Sequence, residues 1–277
     1  MKRVVLYFIL ILIFSCVSQK IPSKKLSQIQ FTTPKIKIDS NHIKIELENP
    51  VHSPLRVVFK SNNQSLNTEL DKLGSIELSA KLDTIIIIKS IANIDQNTKF
   101  NYNWYFGNTS RTIEQIKLAL PFPRGKKYKV VQGNNTNFTH NTDYSRYAVD
   151  LDLKIGDTIC SATNGFVVGV IDKYKFGGKS PKWRDYANYI TIYDPTSGIY
   201  TQYVHLTENG SLVKVGDKVK QGQAIGLCGM TGRTYSEHLH FNCLIPADNS
   251  DGLKSISFEF IGGYQSEALK KDDILGH

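Results

Sequence analysis

The chain has 277 residues, of which 40% are apolar and 21% are charged, and its formal net charge is +9. This composition is that of a globular protein and excludes a disordered one, and the length favours two domains. The basic residues form no lysine- or arginine-dense run with interleaved aromatic residues, so we expect no nucleic-acid partner. We expect most of the lysines to be solvated surface charge, although a modest positive field would favour contact with an anionic envelope polymer or membrane surface.

The first residues have the pattern of an export signal. Lys2 and Arg3 precede an apolar run at 4–14, which is shorter than the roughly 20 residues that a membrane-spanning helix needs. The sequence Ile-Phe-Ser-Cys that ends at Cys16 is similar to a bacterial lipobox. We therefore expect residues 1–16 to be a lipoprotein signal peptide, with a lipid on Cys16 that anchors the protein to a membrane of the bacterial cell envelope, on the periplasmic or outer-membrane side. An ordinary cleaved signal peptide is the alternative.

Residues 17–30 are polar and without periodicity, which predicts a flexible tether. From 31 to 112 apolar residues alternate with polar ones, and this period-two pattern is typical of strands. The alternating apolar sets are Ile43, Ile45 and Leu47; Leu55, Val57 and Phe59; and Phe100, Tyr102, Trp104 and Phe106. The run at 85–88 suggests a strand buried on both faces, and no helix is expected. We predict a small β-sandwich that serves as an adaptor domain for an envelope protein partner.

Residues 113–277 are again rich in strand patterns punctuated by turns. The segment 153–159 has a faint repeat at 213–219, and each copy contains a Gly-Asp turn. The repeat predicts an antiparallel β-sheet domain, so the whole chain is expected to be all-β. The cysteines after Cys16 are odd in number and do not form a disulfide framework, although a Cys228–Cys243 bridge is left open.

A pair of histidines in a predicted strand is the strongest chemical signal. Because side chains alternate along a strand, His238 and His240 project to the same side. Two imidazoles held so close are best explained as neutral groups that bind a metal or move a proton. A surface pair is the plainer explanation of such a motif alone. Because His140 and His205 occur in the same part of the chain, we favour a role in metal binding or proton transfer.

Five motifs follow in a fixed order: Tyr-Ala-Val-Asp-Leu at 147–151, Tyr-Val-His-Leu at 203–206, a Val-Gly-Asp motif that begins at 215, Gly-Met-Thr-Gly-Arg at 229–233 and His-Leu-His-Phe at 238–241. From about 120 to 260 the chain resembles the lysostaphin/LytM-like zinc metallopeptidases, which cut peptidoglycan peptides. The resemblance implies that Asp150 and His240 bind one zinc ion and that His205 and His238 are catalytic.

One departure concerns the first zinc ligand. The family presents it as His-x-x-x-Asp, but the residue four positions before Asp150 is Arg146, which cannot bind zinc. The nearest histidine is His140, and we expect it to be the first ligand at the end of a longer loop. Asp143 is the alternative ligand.

The resemblance thus predicts a zinc-dependent endopeptidase that hydrolyses peptide bonds in bacterial peptidoglycan. The alternative is a catalytically silent LytM-like protein that binds peptidoglycan or activates another cell-wall hydrolase. A basic and aromatic insertion at 173–186 either lines the substrate groove or is a solvated hairpin tip.

Overall fold

The computed structural model describes residues 20–29, 31–39, 42–89, 94 and 97–277. The predicted signal peptide and Cys16 lie outside these described residues. Within the described part, no helix is both long and apolar enough to cross a membrane.

The N-terminal domain consists of two antiparallel sheets and one helix. Its elements are β1 (Lys35–Ile38), β2 (His42–Glu48), β3 (Leu55–Ser61), α1 (Gln64–Leu73), β4 (Ile76–Leu78), β5 (Asp83–Lys89) and β6 (Phe100–Phe106). The sheets have the orders β1-β2-β5 and β4-β3-β6. Apolar side chains of both sheets, such as Ile45 and Phe59, share one core with Leu66 of the helix. This alternation of buried and exposed residues is the period-two pattern of the sequence.

The expectation that this region has no helix is wrong. The Asn63 side chain caps the start of α1 by accepting a hydrogen bond from the Leu66 amide, and Gly74, with φ 63°, ends the helix. Leu66 and Leu70 are four residues apart and are the buried residues of α1. A helix that buries so narrow a stripe leaves little periodicity to find.

The expectation of a doubly buried strand at 85–88 is also wrong. Ile85 and Ile87 are each 56% exposed, whereas Ile88 is 5% exposed and joins the core. The strand β5 lies at the edge of its sheet and packs with one face only. Four consecutive isoleucines have no polar alternation that would mark the outer face.

The C-terminal domain is built of strands and one short 3₁₀ helix. Its elements are β7 (Lys117–Leu118), β8 (Lys127–Gln132), β9 (Val149–Leu151), β10 (Thr158–Cys160), β11 (Gly165–Ile171), β12 (Gly177–Gly178), the 3₁₀ helix Pro181–Tyr186, β13 (Tyr189–Tyr193), β14 (Tyr200–Val204), β15 (Leu206–Ser211), β16 (Lys218–Val219), β17 (Ala224–Cys228), β18 (Gly232–Arg233), β19 (Leu239–Pro246), β20 (Leu253–Ser255), β21 (Glu259–Phe260), β22 (Tyr264–Gln265) and β23 (Ile274–Gly276). The main sheet has the order β16-β11-β13-β14-β19-β9-β8-β23, with β20 beside β19. The predicted all-β fold class is confirmed.

The sequence repeat corresponds to two identical turns. Asp157 accepts a hydrogen bond from the Lys154 amide, and Asp217 accepts the equivalent bond from the Lys214 amide. The preceding glycines have φ values of 89° and 97°, which a residue with a Cβ rarely adopts. The cysteines 160, 228 and 243 are free thiols and are buried, so the bridge left open by the sequence is absent among the described residues.

The N-terminal domain packs on the main sheet. Its Leu55 and Phe106 share a third core with Tyr200 of β14 and Leu244 of β19. Because side chains alternate along β19, Leu244 lies on the same sheet face as His240. The N-terminal domain therefore covers one end of the sheet face that carries the histidines.

The prediction of a free tether over 17–30 does not hold for its last residues. The Leu26 amide donates a hydrogen bond to the Tyr174 hydroxyl at 2.6 Å, and the Gln28 carbonyl accepts one from the Val170 amide at 3.0 Å. Ile29 is 5% exposed and belongs to the core between the domains. The contacts are with residues more than 140 positions away, which the local sequence pattern does not reveal.

Candidate active site

Two neighbouring strands place the central acidic and imidazole groups side by side. In the antiparallel pair of β19 and β9, His240 lies opposite Asp150. On the other side of β19, His240 lies opposite Val204, the last residue of β14, so that His205 follows directly at the strand end. Sheet pairing thus brings together residues up to 90 positions apart along the chain.

His140, Asp150 and His240 form the core of the site. The distances are 2.9 Å from His240 Nδ1 to Asp150 Oδ1, 3.3 Å from His140 Nε2 to Asp150 Oδ1, and 3.2 Å from His140 Nε2 to His240 Nδ1. Among the described residues, these three make a group whose ligand atoms all lie within 4.8 Å of one another. The structure therefore brings His140 to the position that the sequence assigns to the first ligand.

The loop before β9 places His140 in the cluster and Arg146 outside it. His140 is 1% exposed, and its Nδ1 lies 2.8 Å from the Gly133 carbonyl. Since a carbonyl only accepts, Nδ1 carries a proton and Nε2 faces Asp150. Arg146 pairs instead with Asp143 at 3.6 Å, and the side chain of Asp143 is 73% exposed. Asp143 lies outside the cluster, so the alternative first ligand is not supported.

The other two predicted residues, His205 and His238, lie beside this group. Their ring centroids are 4.6 Å apart, and His238 Nε2 lies 3.7 Å from Asp150 Oδ2. The Nδ1 of His205 donates to the Thr231 carbonyl at 2.6 Å, which leaves Nε2 free. His205 has φ 72°, an uncommon left-handed conformation that is frequent where a site must hold a side chain in one orientation.

Burial and neighbouring charges set the protonation of the cluster. Burial and the neighbouring imidazoles lower the pKa of His205 to about 3, and burial lowers the pKa of His240. Burial alone would raise the pKa of Asp150, but the imidazoles of His140 and His238 hold it well below its usual range. Burial lowers the pKa of His140, but the Asp150 carboxylate together with the Gly133 and Ala148 carbonyls outweighs burial and raises it. The site is therefore one ionised carboxylate surrounded by imidazoles.

Two further residues support His205: Asn188, which the sequence places at the edge of the site without a catalytic role, and Thr231, to which the sequence assigns no role. The Thr231 hydroxyl donates to the Leu206 carbonyl at 2.7 Å, while the Thr231 carbonyl holds the His205 ring. Asn188 is fully buried, and its amide group donates to the carbonyls of Tyr174 and Thr207 at 2.7 and 3.1 Å. Asn188 therefore ties the insertion to the strand after His205. In the sequence, Asn188 stands directly before an apolar strand, and Thr231 stands within the Gly-Met-Thr-Gly-Arg motif.

The histidines open into a groove of about 950 Å³. Its lining includes the loop at 138–145, the end of the insertion at 184–187, the segment 233–236 and Lys25 with Leu26 of the docked N-terminal segment. Trp183 of the 3₁₀ helix is 7% exposed, and the next two residues, Arg184 and Asp185, line the groove, so the insertion is a wall of the groove and not a solvated tip. Phe138 and Tyr235, both about half exposed, meet across the groove with centroids 5.1 Å apart.

Comparison with known proteins shows what this chain is similar to. Residues 144–251 match peptidase family M23. The chain is 29% identical over 248 residues to an uncharacterized metalloprotease of Buchnera aphidicola subsp. Baizongia pistaciae, which covers 80% of this chain and 60% of the relative. It is 32% identical over 138 residues to the peptidoglycan DD-endopeptidase ShyB of Vibrio cholerae, covering 48% and 29%, and 28% identical over 137 residues to the glycyl-glycine endopeptidase ALE-1 of Staphylococcus capitis, covering 48% and 34%.

The chain thus spans less than two thirds of the length of these relatives. The match includes Asp150 and the histidines 205, 238 and 240, whereas His140 lies before the matched segment. The resemblance to lysostaphin/LytM-like peptidases is confirmed.

Proposed function

We propose that this chain, whose residues 144–251 form a peptidase family M23 domain, is a zinc-dependent endopeptidase that hydrolyses peptide bonds in bacterial peptidoglycan. The observation that carries the proposal is the cluster of His140, Asp150 and His240 in an open groove, with His205 and His238 beside it. A relative that is a peptidoglycan DD-endopeptidase supports the choice of substrate.

The donor atoms of the cluster fit a zinc ion. The Nδ1 proton of His140 is directed at the Gly133 carbonyl, and Nε2 faces the Asp150 carboxylate at 3.3 Å. The carboxylate at this distance is compensated either by a proton on Nε2 or by a bound cation, so a zinc ion would replace that proton. Two imidazole nitrogens and one carboxylate oxygen form a set of three protein ligands that is usual for catalytic zinc. The bond to the Gly133 carbonyl fixes the tautomer, as an outer partner of a metal-binding histidine does.

A zinc ion bound there would supply a Lewis acid that polarises the scissile carbonyl and lowers the pKa of a water to about 7. His140, Asp150 and His240 hold the ion. The groove leaves the side opposite the sheet open for the peptide, whose carbonyl must approach from solvent.

His205 and His238 supply proton transfer and charge stabilisation. Each has its Nδ1 directed at a backbone carbonyl, that of Thr231 at 2.6 Å for His205 and that of Ser236 at 2.9 Å for His238. Both therefore present Nε2 to the reacting centre, one to take the water proton and return it to the leaving amine, the other to stabilise the oxyanion.

Hydrolysis of purified peptidoglycan by the full chain tests this function. We expect release of new amino groups that stops with a chelator and returns with zinc. His240→Ala should lose both zinc and hydrolysis, whereas His205→Ala should keep zinc and lose hydrolysis, because only the former supplies a ligand. Lys220→Ala changes an exposed residue that follows β16 at the far edge of the main sheet, outside the groove, and is the control. Undiminished hydrolysis in both histidine variants would contradict the proposal.

Arg146, which stands where the family has its first zinc ligand, would favour the alternative of a silent peptidoglycan-binding protein or activator. That reason loses its force because His140 offers a nitrogen at the position that Arg146 does not fill. The same experiment decides, since a silent protein should bind peptidoglycan without releasing amino groups.

The location of the protein belongs to the same proposal. We place it in the cell envelope, with a lipid on Cys16 and with residues 31–112 available to an envelope protein partner. Labelled fatty acid should be incorporated into the full chain and lost in Cys16→Ser. Equal labelling of both would argue against the anchor.

A further inference from the structure

One wall of the groove carries two guanidinium groups that have no ionic partner. Arg184 of the 3₁₀ helix and Arg233 of β18 both line the groove. Of the other charged groups that line it, Lys25 is paired with Asp185, and Asp150 is held by the histidines. Among the described residues, neither Arg184 nor Arg233 lies in a salt bridge. This wall therefore has an uncompensated positive charge.

The remaining acidic residue of the lining, Asp251, does not neutralise this wall. It is exposed, follows β19 and lies near Tyr144, in the loop that forms the other side of the groove. The groove is thus polarised across its width, with the guanidinium groups facing the loop that delivers His140.

Arg233 has a buried donor that nothing in the described structure satisfies. Its Nε is inaccessible to solvent and has no hydrogen-bond partner. An unsatisfied buried N–H is costly, and a guanidinium offers five donors in a planar fork that matches a carboxylate. Because Nε is closed off from solvent while the side chain as a whole is only partly buried, an anionic acceptor in the groove would meet the terminal nitrogens of the fork.

The backbone holds Arg233 in place beside the reacting centre. The strand β18 pairs in parallel with β12 of the insertion, and the Thr234 amide donates to the Gly178 carbonyl at 3.2 Å. Thr234, the next residue after Arg233, has its hydroxyl 3.3 Å from His238 Nδ1. Arg233 and His238 also line the same groove, so an acceptor bound there by Arg233 would share the groove with the peptide bond that His238 serves.

We infer that Arg233, assisted by Arg184, binds a carboxylate of the substrate peptide next to the scissile bond. The inference rests on the proposed function and names its substrate class: peptides with a free carboxylate near the cleaved bond, in preference to uncharged ones. Peptidoglycan stem peptides carry such carboxylates, whereas a glycine bridge carries none. The insertion at 173–186, through β12, is the element that holds this subsite.

The test compares a cross-linked stem-peptide dimer with free carboxylates and the same dimer with those carboxylates amidated. Binding is measured on the zinc-loaded full chain with His205→Ala, which we expect to hold substrate without turnover. The free acid should bind about tenfold more tightly than the amide, the effect of one charge-assisted contact. Adding Arg233→Gln should reduce this ratio to near one, and Arg233→Lys should keep part of it because the charge stays while the fork is lost.

The control is Lys182→Gln, which removes an exposed cation from the same 3₁₀ helix outside the groove and should leave the ratio unchanged. Unchanged melting temperature and zinc content show that Arg233→Gln has not merely disturbed the fold. Equal affinity for acid and amide, or a ratio that survives Arg233→Gln, overturns the inference. If the ratio behaves as expected but the unsubstituted chain hydrolyses neither dimer, the subsite stands and the peptidase proposal fails.

Discussion

Replacing Arg56 should separate the two domains. Arg56 lies in β3 of the N-terminal domain and is 2% exposed. Its guanidinium donates to the Phe106 and Gly107 carbonyls at 2.7 and 2.9 Å within its own domain, and to the Ala247 and Gly252 carbonyls at 3.0 and 3.1 Å in the C-terminal domain. One buried side chain thus holds the loop that follows β19 against the N-terminal sheet.

The magnitude follows from the four bonds. A hydrogen bond from a charged donor contributes about 1.5–3 kcal/mol, and the contributions of bonds from one group are not additive. We expect Arg56→Ala to lower the free energy of unfolding by roughly 3–6 kcal/mol, which lies at the severe end for a single substitution. Arg56→Lys should recover less than half of this loss because a single ammonium cannot reach four carbonyls.

The two tryptophans of the chain allow the assay to follow each domain. Trp104 lies in β6 of the N-terminal domain, and Trp183 lies in the 3₁₀ helix of the C-terminal domain. In urea unfolding of chains with Trp104→Phe or Trp183→Phe, the remaining tryptophan should report coincident transitions. With Arg56→Ala added, the Trp104 transition should move to lower urea than the Trp183 transition.

The matched control is Lys60→Ala on the same strand, which removes an exposed cation and should leave both transitions in place. Coincident transitions and a loss below about 1 kcal/mol in Arg56→Ala would refute the reasoning, because that is less than one charged hydrogen bond.

Three further predictions concern the site and its wall. Asp143→Ala should keep full zinc content and hydrolysis, since this exposed carboxylate pairs with Arg146 and not with the cluster; loss of zinc would contradict the ligand set. Because burial lowers the pKa of His205 to about 3, the folded chain keeps it neutral while the unfolded chain binds a proton below about pH 6.5. His205 alone should therefore lower the free energy of unfolding of the metal-free protein by about 1.4 kcal/mol per pH unit as the pH drops from 6.5 towards 3. In urea unfolding, His205→Gln should show a shallower dependence of this free energy on pH. Equal slopes for the two proteins would be the contrary result. Gly177→Ala should lower the melting temperature and raise the KM, because a Cβ there would lie 2.2 Å from the Met230 carbonyl oxygen; an unchanged KM would mean that β12 does not support the groove.

The sequence predicts the strands and the central cluster well for a physical reason. Alternation places His238 and His240 on one side of a strand, and this local rule holds in the structure. The position of His140 could not be read from the spacing of the family motif, because Arg146 stands where the ligand histidine is expected. It could be found since few histidines precede Asp150 and a longer loop costs little extra closure entropy.

Other features depend on contacts that no local pattern contains. The outer face of β5 is apolar, so Ile85 and Ile87 gave no sign of their exposure. The docking of Ile29 arises from a core shared with strands far along the chain. The left-handed backbone conformation of His205 is supported by Asn188 and Thr231, and their hydrogen bonds are made only once the sheet has formed.

The zinc content of the purified full chain, measured with and without His140→Ala, tests the central claim most directly. The account predicts one zinc ion per chain in the unsubstituted protein and a loss of nearly all of it in His140→Ala, with the fold retained by circular dichroism. One zinc ion per chain in both proteins, or none in either after zinc is supplied, would contradict the account.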